Sequence, residues 1–569
     1  MKTNASSRKL SNNKRRQLGQ LAQQALLQIN DGKILAAAKL CDKADNIFKD
    51  FPEIMYARGM IAAFQEDYST SCKWLEPACA AMPKRFDCLA NLASSMSLCD
   101  RTEETAAIFP QIMEKAPGLF KKMNGHAVFG SLLIDLGEYQ QAMQLLEQAV
   151  IITNSKDANT TIKAAGLHNE FGKSDVAIAF LEKAQSIAPT DHRLPYEMAT
   201  VLVQQNRKKE ARKMLKKALA IMPNFIDALF LLIKTGPYEG IEDDIAKMRA
   251  IYRQSPPESS YRELPAFALG DVADKAEQYP EAFAYWDEGN RIHRSQTGYD
   301  EQEQESLHQA AIDAFPSTRF SQGTPENSSN ASPIFIVGMP RCGSTLLERA
   351  LSRHPMLTDA GETDALGQSI AGRKRLRTNE LVIENLKTLD DEGLLGVGKE
   401  YIRRIKCEYQ IDGTAVDKSL GNYLYLGVIA KALPKARIIH IQREPMASCL
   451  SMFRESFANV FYSFNLDELG RQYARYQKTM QHWRDTLPED IMLETSYESM
   501  VGNTEMELRR ILEFCGLDWY PDCLATHEAV GSVNTASIFQ VRQPIHQKSV
   551  ARWKHYEEQL APLRKYLKE

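Results

Sequence analysis

The sequence predicts two architectures in one chain: a helical-repeat α-solenoid in front, and behind it an α/β domain built on a mainly parallel sheet. Three observations lead there. The chain has 569 residues, too many for one core. A step of 34 residues recurs in the front half, which is rich in Ala, Leu, Gln, Glu and Lys. The back half opens with a short apolar run, a glycine loop and an amphipathic helical pattern.

Composition sets outer limits. With 44% hydrophobic and 25% charged residues, the chain is expected to fold. A formal net charge of −3 favours neither nucleic acid nor a membrane surface as partner. The ten cysteines form no CxxC pair, and the closest two, Cys72 and Cys79, have no histidine company, so no metal site is expected. Reduced thiols in the cytoplasm are the reading this favours. Met1 to Gln20 is polar and basic without an apolar core, so residues 1–15 read as a solvated leader. No apolar run is long enough to span a bilayer.

The repeat is visible in Gly137-Glu138-Tyr139-Gln140-Gln141-Ala142, Lys173-Ser174-Asp175-Val176-Ala177 and Arg207-Lys208-Lys209-Glu210-Ala211. Ala142 to Ala177 is a step of 35 residues, and Ala177 to Ala211 one of 34. Pro189 and Pro223 repeat the 34-residue step, as do Pro83 and Pro117. A proline-closed helix pair with small Ala at the contact resembles the tetratricopeptide repeat. One pair cannot bury its apolar face; stacked pairs can, and their concave side is left for a protein partner. Tyr279-Pro280-Glu281-Ala282 reads as a last unit. The solenoid is placed at 16–316, a polar linker at 317–332 and the second domain at 333–569.

That domain begins with Pro333-Ile334-Phe335-Ile336-Val337, fit for a buried parallel strand. Gly338-Met339-Pro340-Arg341-Cys342-Gly343-Ser344-Thr345 follows, then a helical pattern through Leu346, Leu347, Ala350 and Leu351. Strand, glycine loop and helix start make a P-loop-like anion site. Ser344 stands where a nucleotide-triphosphate loop needs lysine, and Arg341 supplies a planar fork for a tetrahedral anion instead. A kinase or NTPase is therefore disfavoured.

Pro333 to His354 resembles the 5′-phosphosulfate loop of sulfotransferases that use 3′-phosphoadenosine 5′-phosphosulfate (PAPS). A second motif of that family, a strand ending in Arg and a helix carrying Ser, is present as Ala436-Arg437-Ile438-Ile439-His440-Ile441-Gln442-Arg443-Glu444-Pro445 and Ser451. The tail Asn534 to Ile545, with Ser549 and Arg552-Trp553, is similar to the branch that joins tetratricopeptide repeats to a core like that of tyrosylprotein sulfotransferases. The resemblance covers about Pro333 to Leu567. It implies PAPS as co-substrate without a metal, transfer to an acceptor hydroxyl, and a set of site residues. Arg341, Cys342, Gly343, Ser344 and Thr345 take the 5′ side, Arg443 and Ser451 the 3′-phosphate. Tyr497 lies near the nucleotide and Arg552 near the 3′-phosphate end. Glu362, in Asp359-Ala360-Gly361-Glu362-Thr363, is the implied base. Lys418 and Arg341 balance charge, and Ser537 supports the transition state. Ser419 and Leu420 depart from the branch's usual residues after the lysine. His354 is expected as a cap or packing residue, and His440 as a buried, hydrogen-bonded strand residue. The basic run Arg373-Lys374-Arg375-Leu376-Arg377 reads as a solvated face, or as a steering patch for an acidic acceptor. An inactive repeat scaffold is the alternative to an enzyme. Protein tyrosine, sugar, lipid and small phenol stay open as acceptors, the concave repeats favouring a peptide.

Overall fold

The computed structural model describes residues 10–30, 32–99, 101–320, 331–372, 379–526 and 550–567. Two compact units result, Met1–Ala149 and Val150–Glu569.

The first unit is helical throughout its described residues, and consecutive helices pack on each other. Its early core is made of small and branched residues on helices Asn12–Asn30, Ile34–Asp45 and Pro52–Phe64, with Ala25, Ala37, Cys41, Ala44 and Ala57 fully buried. Pro52 starts its helix, where its missing N–H costs nothing.

The second unit opens with helix pairs of the same kind: Ala158–Glu170 with Ser174–Ile187, then Arg193–Gln204 with Lys208–Ile221. Each first helix ends on a left-handed residue, Gly172 (φ 72°) and Asn206 (φ 61°). The following N–H reaches back one turn, Lys173 to the His168 carbonyl at 2.8 Å and Arg207 to the Leu202 carbonyl at 2.9 Å. Glycine and asparagine are the residues that tolerate this stop, which is why the turn recurs with the repeat. Ala177 and Ala211, the alanines that mark the period, are both fully buried where the helices touch.

Three further helices, Glu263–Lys275, Tyr279–Gln296 and Glu301–Ala314, continue the array. Their apolar faces do not end on another repeat. Phe267, Trp286, Leu307 and Phe315 share one core with Phe335, Leu426 and Trp483 of the α/β domain. Ser317–Phe320 is a short helix, and 321–330 lies outside the described residues.

The sheet has five parallel strands: β1 (Ile334–Val337), β2 (Leu357–Gly361), β3 (Thr414–Asp417), β4 (Arg437–Gln442) and β5 (Met492–Ser496), in the order β2-β3-β1-β4-β5. Alternate residues face opposite cores. Phe335, Val337 and Ile438 join the core shared with the repeat helices. Ile334, Ile336, Ile439 and Ile441 join Leu347, Leu508 and Ile511 on the other face. Helices on both faces explain why β1 is apolar without alternation. The chain leaves β1 towards β3 and β2, then crosses back over β1 to β4 and β5. In such sheets the C-terminal ends of the strands at this reversal are the standard ligand position.

Candidate active site

All five strand ends supply the site. After β1 the chain makes the loop Gly338–Gly343 and enters the helix Ser344–Leu351. Gly343 has φ 97°, and a Cβ there would run into the Tyr497 ring, so both backbone and space demand glycine. Gly338 lies so close to the Ile441 carbonyl of β4 that a side chain would displace that strand. Arg341 adopts a left-handed conformation, φ 69°, unusual for a residue with a side chain.

That conformation turns the Arg341 guanidinium inward. It is 7% exposed and its Nε donates to Ser451 Oγ at 3.0 Å. Ser451 is carried by the helix Pro445–Phe453, which follows β4 and is capped by Glu444 through the N–H groups of Met446 and Ala447. Arg443, at the end of β4, donates to the Arg341 carbonyl at 3.1 Å and lies over the Tyr497 ring, 4.8 Å from its centroid. Burial pulls both guanidinium pKa values below the ordinary arginine range. A buried cation, Arg341, and a partly buried one, Arg443, beside a helix N-terminus make a strong anion field. The Cys342 thiol is buried and its pKa rises to about 11, so Cys342 contributes packing and backbone, not a thiolate.

After β2 and β3 come Glu362 and Lys418. Lys418 is 1% exposed, its N–H donates to the Gly361 carbonyl at 2.9 Å, and its ammonium pairs with Glu362. Glu348, on the helix after the loop, stands behind it at 3.7 Å. Burial pushes against the Lys418 charge, but Glu348 and Glu362 outweigh it and raise its pKa. Burial raises the Glu348 pKa well above the usual carboxylate range. The Glu362 side chain is 54% exposed and faces the opening.

Asp417 fixes this end. Fully buried, it accepts hydrogen bonds from Thr363 Oγ1 at 2.9 Å, Tyr401 OH at 3.1 Å and the Ser419 N–H at 3.0 Å. Ser419 Oγ donates to the Thr363 carbonyl at 2.5 Å. The residues after the lysine, unusual for the resembled branch, thus tie the β2 and β3 loops together.

Arg341, Ser344, Thr345, Glu362 and Ser419 line one cavity of about 670 Å³. Leu420, Leu424, Tyr425, Phe457 and Val460, with Leu307 from the helix Glu301–Ala314, add apolar wall, and Gln304, Asp364, Asn422 and Asn459 add polar wall. Arg443, Ser451 and Tyr497 stand behind the loop. Arg552 is placed elsewhere, bonded to Asp274 of the helix Glu263–Lys275. Ser537, with the tail 534–549, and the basic run 373–377 lie outside the described residues. His354 bonds the Asp518 carbonyl at 3.1 Å and accepts from the Met356 N–H, a packing and capping role. His440 is buried between Glu494, at 2.7 Å, and Tyr476, and burial lowers its pKa. Sequence reasoning missed Glu348 and Asp417. Glu348 sits one turn after Ser344 on the same helix, a spacing that could have pointed to it. Among the described residues no group of three or more His, Cys, Asp or Glu could hold a metal ion, and no helix is long and apolar enough to cross a membrane.

Comparison with known proteins agrees with this layout. Residues 333–521 match the model of the Sulfotransferase family, and 168–234 and 126–153 match Tetratricopeptide repeat models. An uncharacterized protein of Aquifex aeolicus (strain VF5) is 26% identical over 413 residues, which are 70% of this chain and 53% of that protein. Protein-tyrosine sulfotransferase 1 of Danio rerio is 24% identical over 238 residues, 39% of this chain and 65% of the relative. The chain thus spans about half to two thirds of the length of these relatives. Among solved structures, the sulfotransferase domain from the Synechococcus PCC 7002 olefin synthase is 20% identical, with a TM-score of 0.31, covering 43% of this chain and 98% of that one. The chain thus joins residues that match Tetratricopeptide repeat models to residues 333–521, which match the Sulfotransferase family model.

Proposed function

We propose that the cavity moves the sulfuryl group of PAPS to an acceptor hydroxyl. The observation that carries this reading is that an anion loop with buried arginine and an exposed carboxylate backed by a buried lysine line the same cavity. The loop residues Arg341 to Thr345 would hold the 5′-phosphosulfate; Arg443 and Ser451 the 3′-phosphate, with Tyr497 beside them. Arg552 and Ser537 keep the family roles the resemblance gives them. For Arg552 this requires exchange of its Asp274 partner.

In the transfer, the acceptor oxygen attacks sulfur in line and its proton passes to Glu362. The new O–S bond forms as the bond from sulfur to the 5′-phosphate oxygen breaks, releasing 3′,5′-adenosine bisphosphate. Lys418 and Arg341 balance the charge that builds on that oxygen. Chemistry of this kind rests on position and electrostatics more than on covalent help. Residues 16–316 then act as the recruiting domain, presenting a peptide acceptor or a partner, and 333–569 as the transferase; protein tyrosine is one acceptor to try. The ten cysteines, all free thiols, are consistent with the cytoplasm as the compartment we propose.

Calorimetric titration with 3′,5′-adenosine bisphosphate, with ATP as competitor, tests the donor site. Tight binding that ATP does not displace and that Arg443→Ala loses is the expected result. No binding would favour an inactive scaffold, and preference for ATP would return the site to phosphoryl chemistry.

A further inference from the structure

The anion loop is wired to the repeat helices. Arg341 Nη2 lies 3.6 Å from Glu455, which follows the Ser451 helix. Glu455 is held from the other side by Lys234, the last residue of the repeat helix Ile226–Lys234, at 3.1 Å. Lys234 also pairs with Asp271 at 2.7 Å. Asp271 pairs with Arg454 at 3.1 Å, and Arg454 with Asp274 at 3.2 Å. Arg552 pairs with Asp274 as well. Asn290 anchors the same bend by donating to the Phe453 carbonyl at 2.7 Å. Lys234 and Asp271 are mostly buried, so water screens little of this chain of charges.

The charges do not cancel. Lys234, Arg454, Arg552 and Arg341 are cations; Asp271, Asp274 and Glu455 are anions. One positive charge is left over, and the chain of pairs ends on a cation at each side, Arg552 and Arg341. A carboxylate beside an anion loop would ordinarily oppose anion binding by competing for the arginine. Here Lys234 faces that carboxylate. Burial of the Lys234 ammonium pushes against its charge, and Asp271 and Glu455 outweigh it.

Resting on the donor reading above, we propose that Lys234 is a positioning residue for the anion loop: by holding Glu455, the repeat array keeps the Arg341 charge for the phosphosulfate. Donor affinity is then set partly by a residue of the solenoid, and a partner that shifts the helix Ile226–Lys234 changes it.

The test is calorimetric titration of the full chain with 3′,5′-adenosine bisphosphate at fixed salt. Lys234→Met weakens binding about ten-fold, the scale of one partly buried charge pair. Lys234→Arg keeps it. Glu455→Gln alone binds no more weakly than the parent, and Glu455→Gln combined with Lys234→Met returns to within about three-fold of it. A merely structural role for Lys234 would not be rescued by the second change. An unchanged affinity in Lys234→Met, or a double variant as weak as the single, overturns the proposal. If Lys234→Met does not fold, Asp271→Asn asks the same question: Lys234 turns wholly to Glu455 and affinity holds or tightens, and weaker binding overturns the proposal. A parent protein that does not bind the bisphosphate overturns the donor reading itself, and this inference with it.

Discussion

The two ends of the cavity are built on opposite plans. At the loop end, Arg341, Ser344 and Thr345 are each less than a tenth exposed, and the arginine is held by its hydrogen bond to Ser451. At the other end, Glu362 stands half in solvent, and the walls come from separate segments around Leu307, Leu420 to Tyr425 and Phe457 to Val460. Under the proposed function, the difference teaches where each task belongs. Holding a doubly charged phosphate ester needs cations fixed before the ligand arrives, in a medium that screens them little. Admitting an acceptor needs an open mouth and walls that loops can reshape.

The largest effect should fall where the two ends meet. Lys418→Met keeps the side-chain volume but removes the charge, and burial already holds the Glu348 pKa well above the usual carboxylate range. Turnover, followed as release of 3′,5′-adenosine bisphosphate from PAPS with a panel of tyrosine peptides and phenols, should fall about 10³-fold, while bisphosphate affinity changes little. Equal loss in both would mean that Lys418 serves the loop end.

Gly343→Ala attacks the loop end alone. Its positive φ and the Tyr497 ring leave no room for a methyl group. Bisphosphate affinity should drop by about thirty-fold, with turnover of bound donor much less affected. Phe457→Ala does the reverse: KM for the best acceptor rises about ten-fold through lost apolar contact, and the bisphosphate titration is unmoved. A shift of donor affinity by Phe457→Ala would erase the division between the ends.

The smallest effect is in pH. His308, one residue from the wall residue Leu307, is buried and bonded to Thr479 at 2.8 Å and Tyr423 at 3.2 Å. Burial, helped by the charges of Arg475 and Lys478, lowers its pKa from 6.5 to about 3. The folded protein therefore binds fewer protons here than the unfolded chain below pH 6.5. The stability this contributes is intact above that pH and is lost as pH falls towards 3, by about 1.4 kcal/mol per pH unit. Melting temperature against pH should fall on the acid side, and His308→Gln should flatten that slope relative to the parent. The same slope in both would place the acid sensitivity in His440 or the carboxylates.

The loop end was far more legible in the sequence than the other. Strand, glycines, Arg341, Ser344 and Thr345 are contiguous, so one short window contains the anion site's geometry. Arg443 and Ser451 follow the same logic, a strand end and the next helix. Glu348 and Asp417 were not legible, because a carboxylate reads as surface until packing buries it. Asp417 works through Thr363, a partner 54 residues away. Arg552 shows the converse: the tail motif suggests a nucleotide contact, and the fold pairs the residue with Asp274, 278 residues earlier.

The local pattern by itself determined the helical repeat, the parallel sheet and the anion loop, because each depends on spacing within one or two turns or on a strand's side-chain alternation. Tertiary structure alone decided that the last repeat helices share a core with the sheet, that Leu307 forms part of the cavity wall, and that Lys234 stands behind the anion loop. Those pairings join residues far apart in the chain, and burial of charge and apolar surface selects them only once the elements have packed.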